Sequence, residues 1–121
     1  MNKRAIGNEG EERAVTYLMK EGCSIITTNY TCKIGEIDII AMQDSVIIFI
    51  EVKYRKNTKM GRPGESVNYF KQMKIIKSAM WYAQKHGLFD KAMRFDIIEI
   101  IDNEIIWIKN AFTIENNKKL L

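Results

Sequence analysis

Two short runs hold the residues best suited to chemistry. Gly35-Glu36-Ile37-Asp38 is followed, twelve residues after Asp38, by Ile50-Glu51-Val52-Lys53. Side chains alternate across a strand, so Glu51 and Lys53 share one face and Val52 takes the other. A polar turn at Gln43-Asp44-Ser45 would pair the two segments as antiparallel strands. Centring that turn on Asp44 sets Asp38 opposite Ile50, one position from Glu51. Two carboxylates and a lysine then meet at one edge of an otherwise apolar sheet. Hydrolysis of a phosphodiester needs an activated water and stabilisation of developing negative charge, and a hard divalent ion held by oxygen ligands supplies both. Asp38 and Glu51 are the expected carboxylate ligands of such an ion, with the Val52 carbonyl as a third. Lys53 would hold the attacking water or neutralise the phosphate, and its apolar, cationic surroundings favour a lowered pKa.

An acid and a lysine two apart on a strand often form only a surface ion pair worth about 0–1 kcal/mol. Position argues against that here. The charges follow directly on Val46-Ile47-Ile48-Phe49-Ile50, five consecutive apolar residues, where charge is costly unless it serves a site. Glu9, Glu11 and Glu12 crowd the expected first turn of a helix, where the helix dipole alone would favour acids, and the same holds for Glu65 at the start of a second helix. A basic loop, with Arg55, Lys56, Lys59 and Arg62, leaves the site directly after Lys53 and is the expected substrate contact. Lys71, Lys74 and Lys77 line one face of the next helix and extend that surface, although a lysine face is commonly just solvated. Tyr54, Tyr69, Trp81 and Trp107 could stack on bases; core packing is the expected fate of most of them. The lone His86 fits a helix C-terminus, and no phosphate-binding glycine loop is present.

The elements that must position these groups read in the order α-β-β-β-α-β-β. A helix spans 8–21, with Asn8 as N-cap and Gly22 after its end. Strands follow at 24–28, 36–42 and 46–54, the last apolar on both faces and hence central to its sheet. After a loop over 55–64, a second helix runs from Glu65 to His86 and stops at Gly87, with Val67, Phe70, Met73, Ile76, Met80 and Ala83 turned inward. Strands at 94–101 and 104–108 pair around Asp102-Asn103. This pattern predicts a single α/β domain over 1–115, a mixed sheet flanked by helices, with a polar tail at 116–121.

Composition sets the outer limits. The 121 residues carry 19 Lys and Arg against 15 Asp and Glu, a net +4, a mild excess that suits a polyanion. Cys23 and Cys32 are too few and too far apart for a zinc site; a disulfide between them is the alternative to the free thiols in a reducing compartment that are expected. No apolar run reaches the length of a membrane span, so a soluble, cytoplasmic protein with no membrane partner is expected.

Taken in order, Gly7-Asn8-Glu9-Gly10-Glu11, Gly35-Glu36-Ile37-Asp38-Ile39-Ile40 and Phe49-Ile50-Glu51-Val52-Lys53-Tyr54-Arg55 are similar to the YraN family of bacterial proteins. Gly64-Glu65-Ser66-Val67 with Lys71, Arg94-Phe95-Asp96 and Asn110-Ala111-Phe112 extend the match across residues 4–114. That family resembles the archaeal Holliday-junction resolvases and the PD-(D/E)xK, restriction-endonuclease-like superfamily. The resemblance implies a four-stranded mixed sheet core, Mg²⁺ dependence and DNA, including branched or junction DNA, as substrate. It makes Glu11 a further acidic site residue, Asp38 and Glu51 metal ligands and Lys53 the catalytic lysine. This chain has Ile37-Asp38 where the superfamily has Pro-Asp. Resolvases act as dimers, which makes a homodimer an expectation too, although no dimer surface is legible in the residues. The expected activity is that of a metal-dependent endonuclease. The rival is a nucleic-acid-binding module that uses the nuclease fold without cleavage, and a third reading makes the charged cluster an ion-pair network of a structural protein.

Overall fold

A strand with no polar face must be covered on both sides, and Val46–Arg55 takes the middle place in a five-stranded sheet. The computed structural model describes residues 3–55 and 68–114. Within them the chain forms α1 (Lys3–Lys20), β1 (Ser24–Thr31), β2 (Glu36–Gln43), β3 (Val46–Arg55), α2 (Tyr69–His86), β4 (Ala92–Ile101) and β5 (Glu104–Phe112). The fold is the expected α/β arrangement with a mixed sheet. The strands lie side by side in chain order. Only β3 and β4 run parallel; the other three pairs are antiparallel. A parallel neighbour cannot follow a tight turn, and α2 lies in the connection. One strand more is present than the four-stranded core that the family resemblance implies. No described helix is long and apolar enough to cross a membrane.

Each helix closes one face. Ala14 and Leu18 of α1 pack with Ile39, Ala41, Ile48, Ile50, Ile98 and Ile100. Ile75, Ile76, Ala79 and Tyr82 of α2 pack on the other side with Ile40, Phe49, Phe95 and Phe112. Alternation along β3 thus sends Ile48 and Ile50 to α1, and Phe49, with Glu51 and Lys53 beyond it, to the side of α2. Each large apolar side chain so buried contributes about 1.5–3 kcal/mol. Gly10 lets α1 come close, because a Cβ there would lie 3.3 Å from the Tyr54 ring.

Several expected boundaries move. The first helix begins at Lys3, so Asn8 lies inside it and is not its cap, and Glu9–Glu12 are not in its first turn. The helix dipole therefore does not account for those acids. Gly22 does end the helix, at φ 95°, with Cys23 N–H returning to the Leu18 carbonyl. The first strand runs three residues further than expected, to Thr31, and the last strand four further, to Phe112. The hairpin turn is the two-residue Asp44-Ser45, both at positive φ, a geometry whose twist matches that of the flanking strands. A two-residue turn shifts the register by one from the expected three-residue turn: Ile39, not Asp38, stands opposite Ile50.

The second helix begins at Tyr69, capped by the Asn68 side chain, which accepts the Lys71 N–H at 2.9 Å. Glu65 and Val67 fall outside the described residues. Phe70 does not face inward; it is 76% exposed. Successive steps of three lose a helical face, and at about 100° per residue Phe70 lies opposite Ala79. The buried stripe is instead Met73, Ile75, Ile76, Ala79, Tyr82 and Ala83, with Met80 at its margin. Gly87 at φ 64° ends the helix as expected.

Candidate functional site

The site forms where β2 and β3 part. Ile37 packs on the α2 side and Ile39 on the α1 side, so the side-chain alternation breaks at the residue between them, Asp38. The β2–β3 ladder ends at the Ile39–Ile50 pair. Beyond it the Val52 N–H, which no longer has a strand partner on that side, donates to Asp38 Oδ2 at 2.8 Å. That bond ties the two carboxylate-bearing segments together.

On the α2 side, Glu51 is buried and its Oε1 meets two ammonium groups. Lys71 Nζ lies at 2.8 Å and Lys53 Nζ at 3.7 Å. The geometry follows from chain placement. Glu51 and Lys53 share a face of one strand, and Lys71 sits at the edge of the α2 stripe, in the first turn of the helix that crosses above. Lys74 and Lys77 point further outward and are exposed. A cleft of about 450 Å³ opens here, with Glu36, Glu51, Phe70, Lys71 and Lys74 in its wall. Gly35 also borders it, and a Cβ at that position would lie 3.3 Å from Ser78 Oγ, so glycine lets α2 approach the β1–β2 turn.

The electrostatics are those of a site short of positive charge. Burial, and then the negative charge of Glu51, pushes the Asp38 carboxyl up to about 7, against the pull of the Val52 N–H. Glu11 of α1 adds to that push, and burial raises its own carboxyl, with Glu36 and Glu51 contributing and the Asn29 side-chain hydrogen bond opposing. Burial lowers the Lys53 ammonium, Lys71 lowers it further, and Glu51 and Asp38 pull the other way. For Lys71 burial acts downward, but Glu51, Lys53 and Asp38 together outweigh it and raise the pKa.

Asp38, Glu51, Lys53 and Lys71 are thus brought together, and Glu11 stands within electrostatic range of them. Among the described residues no three acids, histidines or cysteines stand close enough to share one metal ion. The oxygen donors that fit a hard cation are the two carboxylates of Asp38 and Glu51. Two observations favour that fit: an Asp38 carboxyl raised by burial and by the charge of Glu51, and an ammonium already seated on Glu51 Oε1.

The expected substrate contacts separate. Lys71 and Lys74 line the cleft; Lys56, Lys59 and Arg62 lie outside the described residues. Arg55 is not on the surface. It is the last residue of β3, its side chain 7% exposed, with Nε 3.6 Å from Glu99 Oε1. Tyr54, Tyr69 and Trp81 are exposed rather than packed away, and Trp107 packs edge-on against Tyr17 while its Nε1–H donates to Asp96. His86 ends α2 against the Tyr82 ring, and both cysteines are free.

Sequence reasoning missed Glu99, which is fully buried beside Lys53 in the parallel β3–β4 ladder and on the same face. Its signal was an isolated acid inside the apolar run Ile97-Ile98-Glu99-Ile100-Ile101. The pairing of Lys71 with Glu51 had no signal, since it depends on how α2 lies across the sheet.

Comparison with known proteins agrees with the motifs. The model of the uncharacterised protein family UPF0102 matches residues 10–100. A UPF0102 protein of Fusobacterium nucleatum is 49% identical over 110 residues, covering 91% of this chain and 92% of its own. One from Clostridioides difficile is 47% identical over 114 residues, covering 93% and 100%. A third, from Caldicellulosiruptor saccharolyticus, is 42% identical over 118 residues, covering 93% and 100%. The chain belongs to the UPF0102 family, the YraN group that its motifs resemble.

Proposed function

We propose that this protein is a metal-dependent endonuclease of the PD-(D/E)xK type that hydrolyses phosphodiester bonds in DNA. The observation that carries this reading is the convergence of Asp38, Glu51 and Lys53 at the point where β2 and β3 separate, with the Asp38 carboxyl raised by burial and then by its neighbour's charge. A structural ion-pair network would be expected to neutralise both acids. Here Asp38 receives one backbone N–H and is repelled by Glu51.

Asp38 and Glu51 would hold Mg²⁺ or Mn²⁺ through their carboxylates, with the Val52 carbonyl beside them. The ion, when bound, supplies Lewis-acid stabilisation of the phosphate and a more acidic water. Lys53, held on the same face as Glu51 and lowered in pKa by burial and by Lys71, is placed to orient the attacking water or take its proton. Glu11 supports the site from α1 by its charge. Lys71 and Lys74 offer positive charge to the strand entering the cleft. Water attack in line with the leaving 3′ oxygen leaves a 5′-phosphate. The junction-resolvase resemblance supports branched DNA as the substrate.

The test is cleavage of labelled junction, flap, duplex and single-stranded DNA, and RNA, with Mg²⁺ or Mn²⁺, beside Lys53→Ala. Metal-dependent cleavage that vanishes in the variant supports the assignment. An unchanged rate sinks it, and salt-sensitive binding without cleavage in any condition replaces it with a recognition module.

A further inference from the structure

One oxygen of Glu51 is claimed by two ammonium groups, and they are held differently. Lys53 is two residues along the same strand, its side chain 22% exposed and its direction set by the pleat. Lys71 reaches down from α2 on a flexible four-carbon stem, its side chain 40% exposed, and lies the closer at 2.8 Å. An ammonium donates only and has no lone pair to share. A divalent ion approaching the free lone pairs of Glu51 therefore meets a positive charge already seated there. A metal ion and an ammonium repel each other on one carboxylate, and Lys71, in direct contact at 2.8 Å on its long stem, is the cation free to leave, whereas Lys53 already stands back at 3.7 Å. Its way out is the cleft shared by Lys74 and Phe70, the side from which a phosphate would enter.

We propose that Lys71 is a displaceable counter-ion: it holds Glu51 in the resting protein, yields that carboxylate to the metal, and turns to the substrate phosphate. The proposal rests on Asp38 and Glu51 being a metal site. It adds that metal loading and phosphate capture are one exchange, in which a single lysine trades a carboxylate for a phosphate. Free of substrate, the metal pays for breaking the Lys71–Glu51 contact; with substrate present, the phosphate compensates Lys71, so metal and nucleic acid favour each other's binding.

The experiment is calorimetric titration of the whole protein with Mn²⁺, without nucleic acid, for the native chain, Lys71→Met and Lys77→Met. Lys77 is exposed on the same helix, so its variant carries the same loss of charge away from Glu51. Circular dichroism melts confirm that each variant is folded. Removing the competitor should tighten Mn²⁺ binding by about fivefold in Lys71→Met, with Lys77→Met close to native. In a second arm, with Ca²⁺ in place of Mn²⁺ to hold a junction DNA uncleaved, Lys71→Met should bind it more weakly and with a salt slope smaller by about one. Equal or weaker Mn²⁺ binding in Lys71→Met, with the native protein binding well, overturns the exchange and leaves the metal site standing. If the native protein binds no better than Asp38→Asn, the metal site itself fails, and the exchange fails with it.

Discussion

Asp96 on β4 and Asp38 on β2 are both drawn away from water, but their surroundings differ. Asp96 is fully buried and saturated with donors. Arg94 embraces it, with Nε at 3.0 and 3.1 Å from the two oxygens and a second guanidinium nitrogen at 3.0 Å from Oδ2. Trp107 Nε1–H and the Asn110 N–H complete the set, each at 2.8 Å. The β4–β5 register slips at this point, between Phe95 and Ile97, with Asn110 at φ 54°. The Asp96 carboxylate thus takes up an N–H that the bulge removes from the ladder. Asp38 receives the Val52 N–H and faces Glu51 with Glu11 and Glu36 not far off. A buried acid that holds a fold together is given donors, because an unpaired buried charge costs several kcal/mol. An acid left short of donors next to another acid is stored strain, and a cation relieves it. The Arg94-Phe95-Asp96 and Asn110-Ala111-Phe112 motifs thus serve the architecture, and the contrast with Asp38 and Glu51 is what the proposed site rests on.

Substitutions in the two regions should separate along that line. The largest effect is on catalysis: Lys53→Ala or Asp38→Ala should lower cleavage by about 10³-fold or more while the melting transition persists, read by product formation on labelled DNA beside thermal unfolding. Unfolding of either variant would break the contrast by making the site architectural. Next comes Asp96→Ala, which strands a half-buried guanidinium and opens the bulge. It should cost about 3 kcal/mol in urea denaturation. Trp107→Phe keeps the ring and removes one donor to Asp96, and should cost about 1.5 kcal/mol by the same measurement.

The smallest effect has the opposite sign. Asp38 titrates near 7 when folded and near its ordinary value of 3.8 when unfolded. Between those values the folded state keeps a proton that the unfolded chain has released, so this group's contribution to stability is full below about pH 4 and is lost as pH rises through 7. Asp38→Asn should therefore gain about 1 kcal/mol over the native protein at pH 8 and flatten the pH dependence of its melting between pH 5 and 8. Mg²⁺ should raise the native melting temperature at pH 8 and leave Asp38→Asn nearly unmoved. A native protein whose stability rises from pH 5 to 8 at this group would contradict the strained-acid account.

Much of the fold was legible because it is written in local patterns. Five apolar residues in a row marked β3 as central, Gly22 and Gly87 marked the ends of both helices, and short polar runs marked the hairpins. The candidate residues of β2 and β3 were legible for the same reason: charge placed directly after an apolar strand is locally conspicuous. Period-based reasoning failed where small errors accumulate along an element. A stripe drawn in steps of three turned Phe70 inward, whereas about 100° per residue carries it to solvent. A turn taken as three residues moved Asp38 by one register position.

What depended on distant packing could not be read at all. Lys71 meets Glu51 because of how α2 lies across the sheet, beside the β1–β2 turn where Gly35 leaves it room. Glu99 neighbours Lys53 only because the α2 crossover returns β4 parallel to β3. Arg55 looked like the start of a basic loop, yet the strand continues through it and turns it inward to Glu99. By itself the amino-acid sequence determined the order of elements, the central strand, and the Asp38, Glu51 and Lys53 set. Local period and residue chemistry suffice for those. The tertiary structure decided which charges are paired and which carboxyl is left buried beside another acid, because Coulomb energy and desolvation depend on distance and burial, which only the packed fold defines.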